Sequence, residues 1–287
     1  MPYKENPKTK GSGILCCIPQ AGRCPNKCPE CFFQNRRSYP EPLEANLPNM
    51  PTPEQARGHV IRVNDGNDSN VDKAQVLLQT ECYRDKFYNT AVPDLDFLGV
   101  VSRAYCDGSV DEAKRQMPVV LTINSGHRGM DERFYTLGDC SMGSYLCSVP
   151  PPNLMFVRIL TNTWNQDLVT RAVRYWTDWE VPVVLTFMAY HKEPGDNHGK
   201  DWIGEEWTSP GPRPLCAEQL GYAECKRTLN TYWAVTIKAW REIMATFQDN
   251  KFVYSCGKIE GERGDTHCRF CGNCLREYYV TKARMGL

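Results

Sequence analysis

The chain has 287 residues, 41% of them hydrophobic, with 34 Lys+Arg balanced by 34 Asp+Glu. That length allows one large domain or a domain with an appendage, and the apolar content suffices for a sizeable core. Zero net charge excludes the broad basic footprint of a non-specific nucleic-acid binder. No apolar stretch approaches bilayer length, and the polar opening residues lack a signal-peptide core, so a soluble, cytoplasmic protein with no membrane partner is expected.

Short apolar runs recur along the chain. The first candidate strand covers 13–18. The second, 59–63, ends at Asn64-Asp65-Gly66, and a weaker third lies at 86–90. The fourth, 118–123, ends at Asn124-Ser125-Gly126-His127. The fifth, 154–160, ends at Thr161-Asn162, and the sixth covers 181–188. These runs are rich in Val and Ile and mostly continuous, which suits parallel strands buried on both faces. Helical patterns fall between them. A helix over 71–83 would turn Ala74, Leu77 and Leu78 inward. Asn165 would cap a helix presenting Leu168, Val169, Ala172, Val173 and Trp176. A later helix carries Trp233, Ile237, Trp240, Met244 and Phe247. Strand–helix alternation argues for an α/β fold with a parallel sheet, and six units make a barrel smaller than the eight-unit form. Chemistry in such barrels gathers at the C-terminal strand ends, where Asn64, Asp65, Gly66, Asn124, Ser125 and Asn162 stand. Two stretches, 35–57 and 191–225, read as long loops.

Fifteen cysteines, an odd count with uneven spacing, make a poor disulfide framework and a good metal-ligand set. Cys24, Cys28 and Cys31 follow the first strand at spacings that let one loop hold three corners of a cubane cluster. Zinc prefers four closed ligands and suits this loop poorly. Cys268, Cys271 and Cys274 form a second set, with Cys256 as the natural fourth ligand and Cys216, Cys225 or His267 as substitutes. Four thiolates suit a second 4Fe-4S cluster, with structural zinc as the alternative. His127, Asp68, Trp202 and Trp207 are as readily structural as functional. Cys16, Cys17, Cys82, Cys106, Cys140 and Cys147 read as ordinary thiols.

The C-x3-C-x2-C loop after a first strand resembles the signature of the radical S-adenosylmethionine (SAM) superfamily. The usual aromatic residue before the third cysteine is Glu30 here, and Phe32 and Phe33 follow the loop. The resemblance implies a partial (β/α)6 TIM-like barrel over 1–192, an insertion over 193–225, and a C-terminal auxiliary-cluster region over 226–287. It implies a 4Fe-4S cluster on Cys24, Cys28 and Cys31 whose open iron binds SAM, with Asn64, Asp65, Gly66, Asn124, Ser125 and Asn162 as candidate SAM contacts. Reductive cleavage of SAM to a 5′-deoxyadenosyl radical would need an electron donor such as flavodoxin or ferredoxin. The cofactor carries the hard chemistry while the protein orients and shields it. A small-molecule or nucleoside substrate is expected, with a peptide as the rival. Nucleic acid is possible but not indicated by charge. The competing class is a non-catalytic zinc or iron–sulfur binding protein.

Overall fold

The structure is a computed structural model, and it describes residues 2–22, 24–25, 48–91, 117–123, 152–190, 217–227, 230–256, 258–259 and 266–287. In chain order the elements are β1 (Ile14–Cys17), β2 (Val60–Val63), α1 (Lys73–Gln79), β3 (Lys86–Thr90), β4 (Val119–Ile123) and β5 (Leu154–Thr161). Then come α2 (Gln166–Asp178), β6 (Val183–Phe187), β7 (Ala189–Tyr190), β8 (Tyr222–Arg227), β9 (Asn230–Val235) and α3 (Ile237–Ala245). The remainder is β10 (Val253–Ser255), β11 (Lys258–Ile259), β12 (Thr266–His267), the single turn α4 (Cys268–Cys271) and α5 (Asn273–Arg284).

The fold is α/β. Seven parallel strands, in the order β1-β2-β3-β4-β5-β6-β10, form one sheet curled into a half barrel. All six expected strands are present. The expectation of six is corrected to seven, because Val253–Ser255 pairs in parallel with β6. Its three residues are too short to announce a strand by pattern alone. The strands are buried almost throughout, as continuous Val/Ile runs require when both faces are covered. β7, β8 and β9 make a separate antiparallel sheet in the order β7-β9-β8. β8 therefore takes the end of the expected 191–225 loop into regular structure. No described helix is long and apolar enough to cross a membrane.

Side-chain alternation divides the main sheet. Leu15, Ile61, Val63, Tyr88, Leu121 and Val157 point to the convex face. There they meet Val76 of α1, Val169, Ala172, Val173 and Trp176 of α2, and Ile243 of α3. The concave face carries Ile14, Val60, Phe87, Val120, Phe156 and Val184, packed against Tyr278, Leu275 and Cys274 of α5. A Cβ on Gly13 would lie 3.1 Å from Leu275 Cδ1, so the edge strand and the helix touch closely.

α5 runs antiparallel to the strands. Asn273 Nδ2 at its start donates to Ser255 O, 2.9 Å, at the C-terminal end of β10. Arg284 near its end donates to Pro152 O (2.9 Å) and Leu154 O (2.6 Å) at the opening of β5. Midway, the Tyr278 hydroxyl and Lys282 Nζ both donate to Asp85 Oδ1, each at 3.0 Å.

Three helical expectations need correction. In α1 the buried residue is Val76, while Ala74 is exposed and Leu77 and Leu78 are 40% and 72% exposed. Two turns of helix leave the apolar face undecided by spacing, and the sheet selects Val76. Trp233 lies on β9, opposite Tyr190 of β7 and Glu224 of β8. The aromatic and β-branched run Tyr232-Trp233-Ala234-Val235 favours a strand. The helix then starts after Thr236, whose hydroxyl accepts from Ala239 N at 3.2 Å. Asn165 occupies the N-cap position of α2 without capping it. Its amide instead bonds Leu160 O (2.9 Å) and Asn162 N (3.0 Å), fastening the turn after β5.

Candidate functional site

Parallel strands place their C-terminal ends on one rim. Cys24 lies in the loop after β1, Asn64-Asp65-Gly66 directly follows β2, Asn162 follows β5, and Cys256 follows β10. Residues from both cysteine sets are thus carried by the same rim. Cys28, Cys31, Asn124, Ser125, His127, Trp202, Trp207 and Cys216 lie outside the described residues.

Asn64 adopts the left-handed conformation, φ 63°, which turns the chain sharply off β2. Its amide nitrogen donates to Ser69 Oγ at 2.9 Å, and its buried Oδ1 has no hydrogen-bond partner among the described residues. Asp65 accepts from Arg62 at 2.7 Å and from Asn6 Nδ2 at 2.5 Å. Burial alone would raise its carboxyl, yet the Arg62 guanidinium, helped by Cys16 and Asn6, holds it below the usual carboxylate range. Gly66 sits at φ 138°. Asp68 ties the β2 loop to the end of β3, accepting from the Thr90 hydroxyl (2.8 Å) and Ala91 N (2.5 Å). Asn162 is fully buried, and its Oδ1 accepts from Trp164 N at 3.1 Å within its own turn.

Behind this rim the concave face changes character. Residues opposite the convex-facing ones on each strand are Cys16, Arg62, Asn89, Thr122, Arg158 and Thr186, a polar tier above the apolar one. Asn89 Nδ2 is held by Val63 O at 3.0 Å, and its Oδ1 receives Arg158 at 3.5 Å. Arg158 also lies 5.7 Å from the Phe156 ring centre. The Nε atoms of Arg62 and Arg158 and the Thr186 hydroxyl are buried without a partner among the described residues. Such groups are rare in folded proteins.

The C-terminal cysteines open onto this tier. Cys256 N continues the ladder by donating to Leu185 O at 2.7 Å, and Cys256 and Cys274 pack on the concave cluster. Burial, then Cys256, pushes the Cys268 thiol up to about 12. Burial also raises Cys274, against the pull of Arg158 and Arg62. Cys271 adds to the raising influences on Cys274, so all four thiols share one electrostatic neighbourhood. None of the described cysteines is in a disulfide. Among the described residues, no three Cys, His, Asp or Glu side chains converge into a metal-holding group. Four sulfurs are donors of the type a thiolate-bound metal or cluster takes, but as placed they do not form a ligand set. Cys225, a rival ligand, stands on β8 in the other sheet. Cys16 and Cys17 are buried thiols as expected, and Cys82 is exposed.

Arg62 and Arg158 are the residues that sequence reading missed. A lone arginine within an otherwise apolar strand was the available signal.

Compared with protein-family models, with curated proteins and with solved structures, the chain has no match.

Proposed function

We propose that this protein is a radical SAM enzyme of the cytoplasm, built as a partial TIM-like barrel with an auxiliary-cluster extension. Its reaction is hydrogen abstraction from a small-molecule or nucleoside-type substrate, and a peptide is the rival substrate. The observation that carries the reading is Cys24, first of a C-x3-C-x2-C series, in the loop leaving β1 at the C-terminal rim of a curled parallel sheet. Cys24, Cys28 and Cys31 would hold a 4Fe-4S cluster with an open iron for SAM. Cys256, Cys268, Cys271 and Cys274 would hold a second cluster, or zinc. The first cluster, when bound and reduced by a flavodoxin or ferredoxin, supplies the electron that cleaves SAM.

The chain's own part is binding, orientation and shielding. The unpartnered Asn64 Oδ1 offers an acceptor to a ligand amino group at the end of β2. Gly66 keeps the backbone there open to close approach. Asn162, its oxygen engaged by Trp164 N, serves in this reading through its turn rather than its side chain.

The test is anaerobic reconstitution, with iron and sulfide counts and electron paramagnetic resonance (EPR) of the reduced protein with and without SAM. Two centres, one of them shifted by SAM, together with SAM-dependent deoxyadenosine release, are expected. Cys24→Ala should abolish the SAM response and leave the C-terminal centre in place. Zinc alone, or spectra indifferent to SAM, would overturn the enzyme reading in favour of a metal-stapled binding protein.

A further inference from the structure

We infer that Arg158 of β5 is a binding residue for an oxyanion, a carboxylate or phosphate carried by the substrate, on the concave face of the main sheet. The oxyanion subsite stands on the geometry around Arg158; its assignment to a substrate rests on the enzyme reading proposed above.

The sheet takes a specific step to put Arg158 where it is. β4 and β5 pair with a register shift: Val119 meets Leu154, but Val120 meets Phe156. Met155 is the extra residue. Leu154 faces the convex core, so plain alternation would send Phe156 and Arg158 there too. The bulge resets the alternation: Phe156 joins the concave cluster, and Arg158 lies 5.7 Å from its ring centre. A one-residue slip of this kind exchanges the faces of everything beyond it, and bulges often re-aim a side chain beside a site. Arg158 stands in the C-terminal half of β5, the end at which parallel strands gather their chemistry.

So placed, Arg158 is only 8% exposed. Among the described residues its guanidinium makes one hydrogen bond, a long one of 3.5 Å from Nη1 to Asn89 Oδ1. That acceptor is neutral, and it is aimed from behind, because Asn89 Nδ2 donates to Val63 O at 3.0 Å. Arg158 Nε is buried with no partner, and no carboxylate pairs with the side chain among the described residues. Asp65, the carboxylate beside this tier, is taken on both oxygens: Arg62 lies 2.7 Å from Oδ1, and Asn6 Nδ2 lies 2.5 Å from Oδ2. Two hydroxyls flank the guanidinium. Thr122 is the Cα partner of Arg158 on β4. Thr186 follows Val184, its Cα partner on β6, on the same face, and carries a buried hydroxyl with no partner among the described residues. The patch is therefore rich in donors, and its one amide acceptor is already in use. A buried guanidinium without an anion is costly, and its planar fork matches two oxygens of a carboxylate or phosphate. A neutral or cationic group placed there would leave the charge unbalanced.

The experiment compares wild type, Arg158→Gln, Arg158→Lys and Thr186→Val, each as the full chain reconstituted without oxygen, by thermal unfolding followed by circular dichroism. Sodium acetate and sodium phosphate are titrated against sodium chloride at matched ionic strength. In chloride alone, Arg158→Gln should unfold no earlier than wild type, because it removes a buried charge that has no partner. Acetate or phosphate should raise the wild-type Tm saturably. The apparent affinity should be roughly tenfold or more weaker in Arg158→Gln, partly restored in Arg158→Lys, and reduced by less in Thr186→Val. An equal anion response in wild type and Arg158→Gln would overturn the inference, and so would a wild type indifferent to both anions. Earlier unfolding of Arg158→Gln in chloride would overturn it as well, by showing an arginine already balanced within the fold. A SAM arm separates the two sources of a carboxylate: with SAM saturating, the acetate or phosphate response should remain. If SAM abolishes that response and Arg158→Gln loses SAM affinity, the arginine serves SAM and the substrate assignment falls. If the anion response holds but Cys24-dependent SAM cleavage is absent, the enzyme reading falls and takes the substrate assignment with it. SAM cleavage without an Arg158-dependent anion response would sink this inference alone.

Discussion

Among the described residues the convex face of the main sheet is closed by three helices and is mostly apolar, with Trp176, Val173 and Ile243 seated on Leu121, Val157 and their neighbours, while the buried Lys86 donates to Thr80 O and Tyr83 O at 2.9 Å. The concave face, built by alternate residues of the same strands, is covered by one helix and only half apolar. Its lower tier packs Tyr278 against Phe87 at 6.3 Å between ring centres, and its upper tier holds Arg62, Asn89, Arg158 and a buried Cys16. The second spends more of its area on groups that cost free energy to bury, and in the function proposed above it is the working face.

Substitutions separate the two faces. Trp176→Ala should cost about 3–5 kcal/mol in urea unfolding, while metal per folded chain stays the same. Tyr278→Ala should cost about 3 kcal/mol and also release metal from the C-terminal cysteines, because that helix holds Cys274 in place. Metal loss in the first variant and retention in the second would invert the assignment of faces. Tyr278→Phe, which removes only the bond to Asp85, should cost about 1 kcal/mol.

Acid should act through the concave side. Burial raises Asp85, but Lys282 and Tyr278 outweigh it and hold the carboxyl below its usual value, as Arg62 does for Asp65. Both carboxyls hold protons less tightly folded than unfolded. Their contribution is present above the ordinary value of about 4 and is lost as pH falls through the folded values. Asp85→Asn should flatten that acid limb in thermal unfolding followed by circular dichroism. The smallest effect belongs to the exposed side of α1: Leu78→Gln should change stability by no more than about 0.5 kcal/mol.

Much of this frame was legible in the sequence. Runs such as 119–123 and 154–160 are continuous because both faces of a parallel strand are covered, so their presence is plain and their facing is not. Continuity hides which residues point to the concave side, and a register slip at Met155 leaves no trace in composition. Arg62 and Arg158 consequently read as interruptions of strands rather than as neighbours across a tier. Trp233 was misplaced because it stands four residues before Ile237, which extends the helical spacing backward past the helix start after Thr236. Cysteine spacing carried the metal hypothesis unaided, since ligand intervals are local in sequence. The Asp85–Tyr278 bond spans 193 residues, and no local pattern can announce it.

That same span has a consequence for the birth of the molecule. Asp85 waits for Tyr278 and Lys282 across 193 and 197 residues, among the most distant pairings in the chain. Contacts so remote form late, because loop-closure entropy is spent before they return anything. Synthesis runs in the same direction: all seven strands of the main sheet leave the ribosome before the helix that fills their hollow. The nascent protein therefore passes through a stage with an open, half-greasy trough, during which its lower tier is exposed to chaperones and to other chains, and closure of that trough comes last.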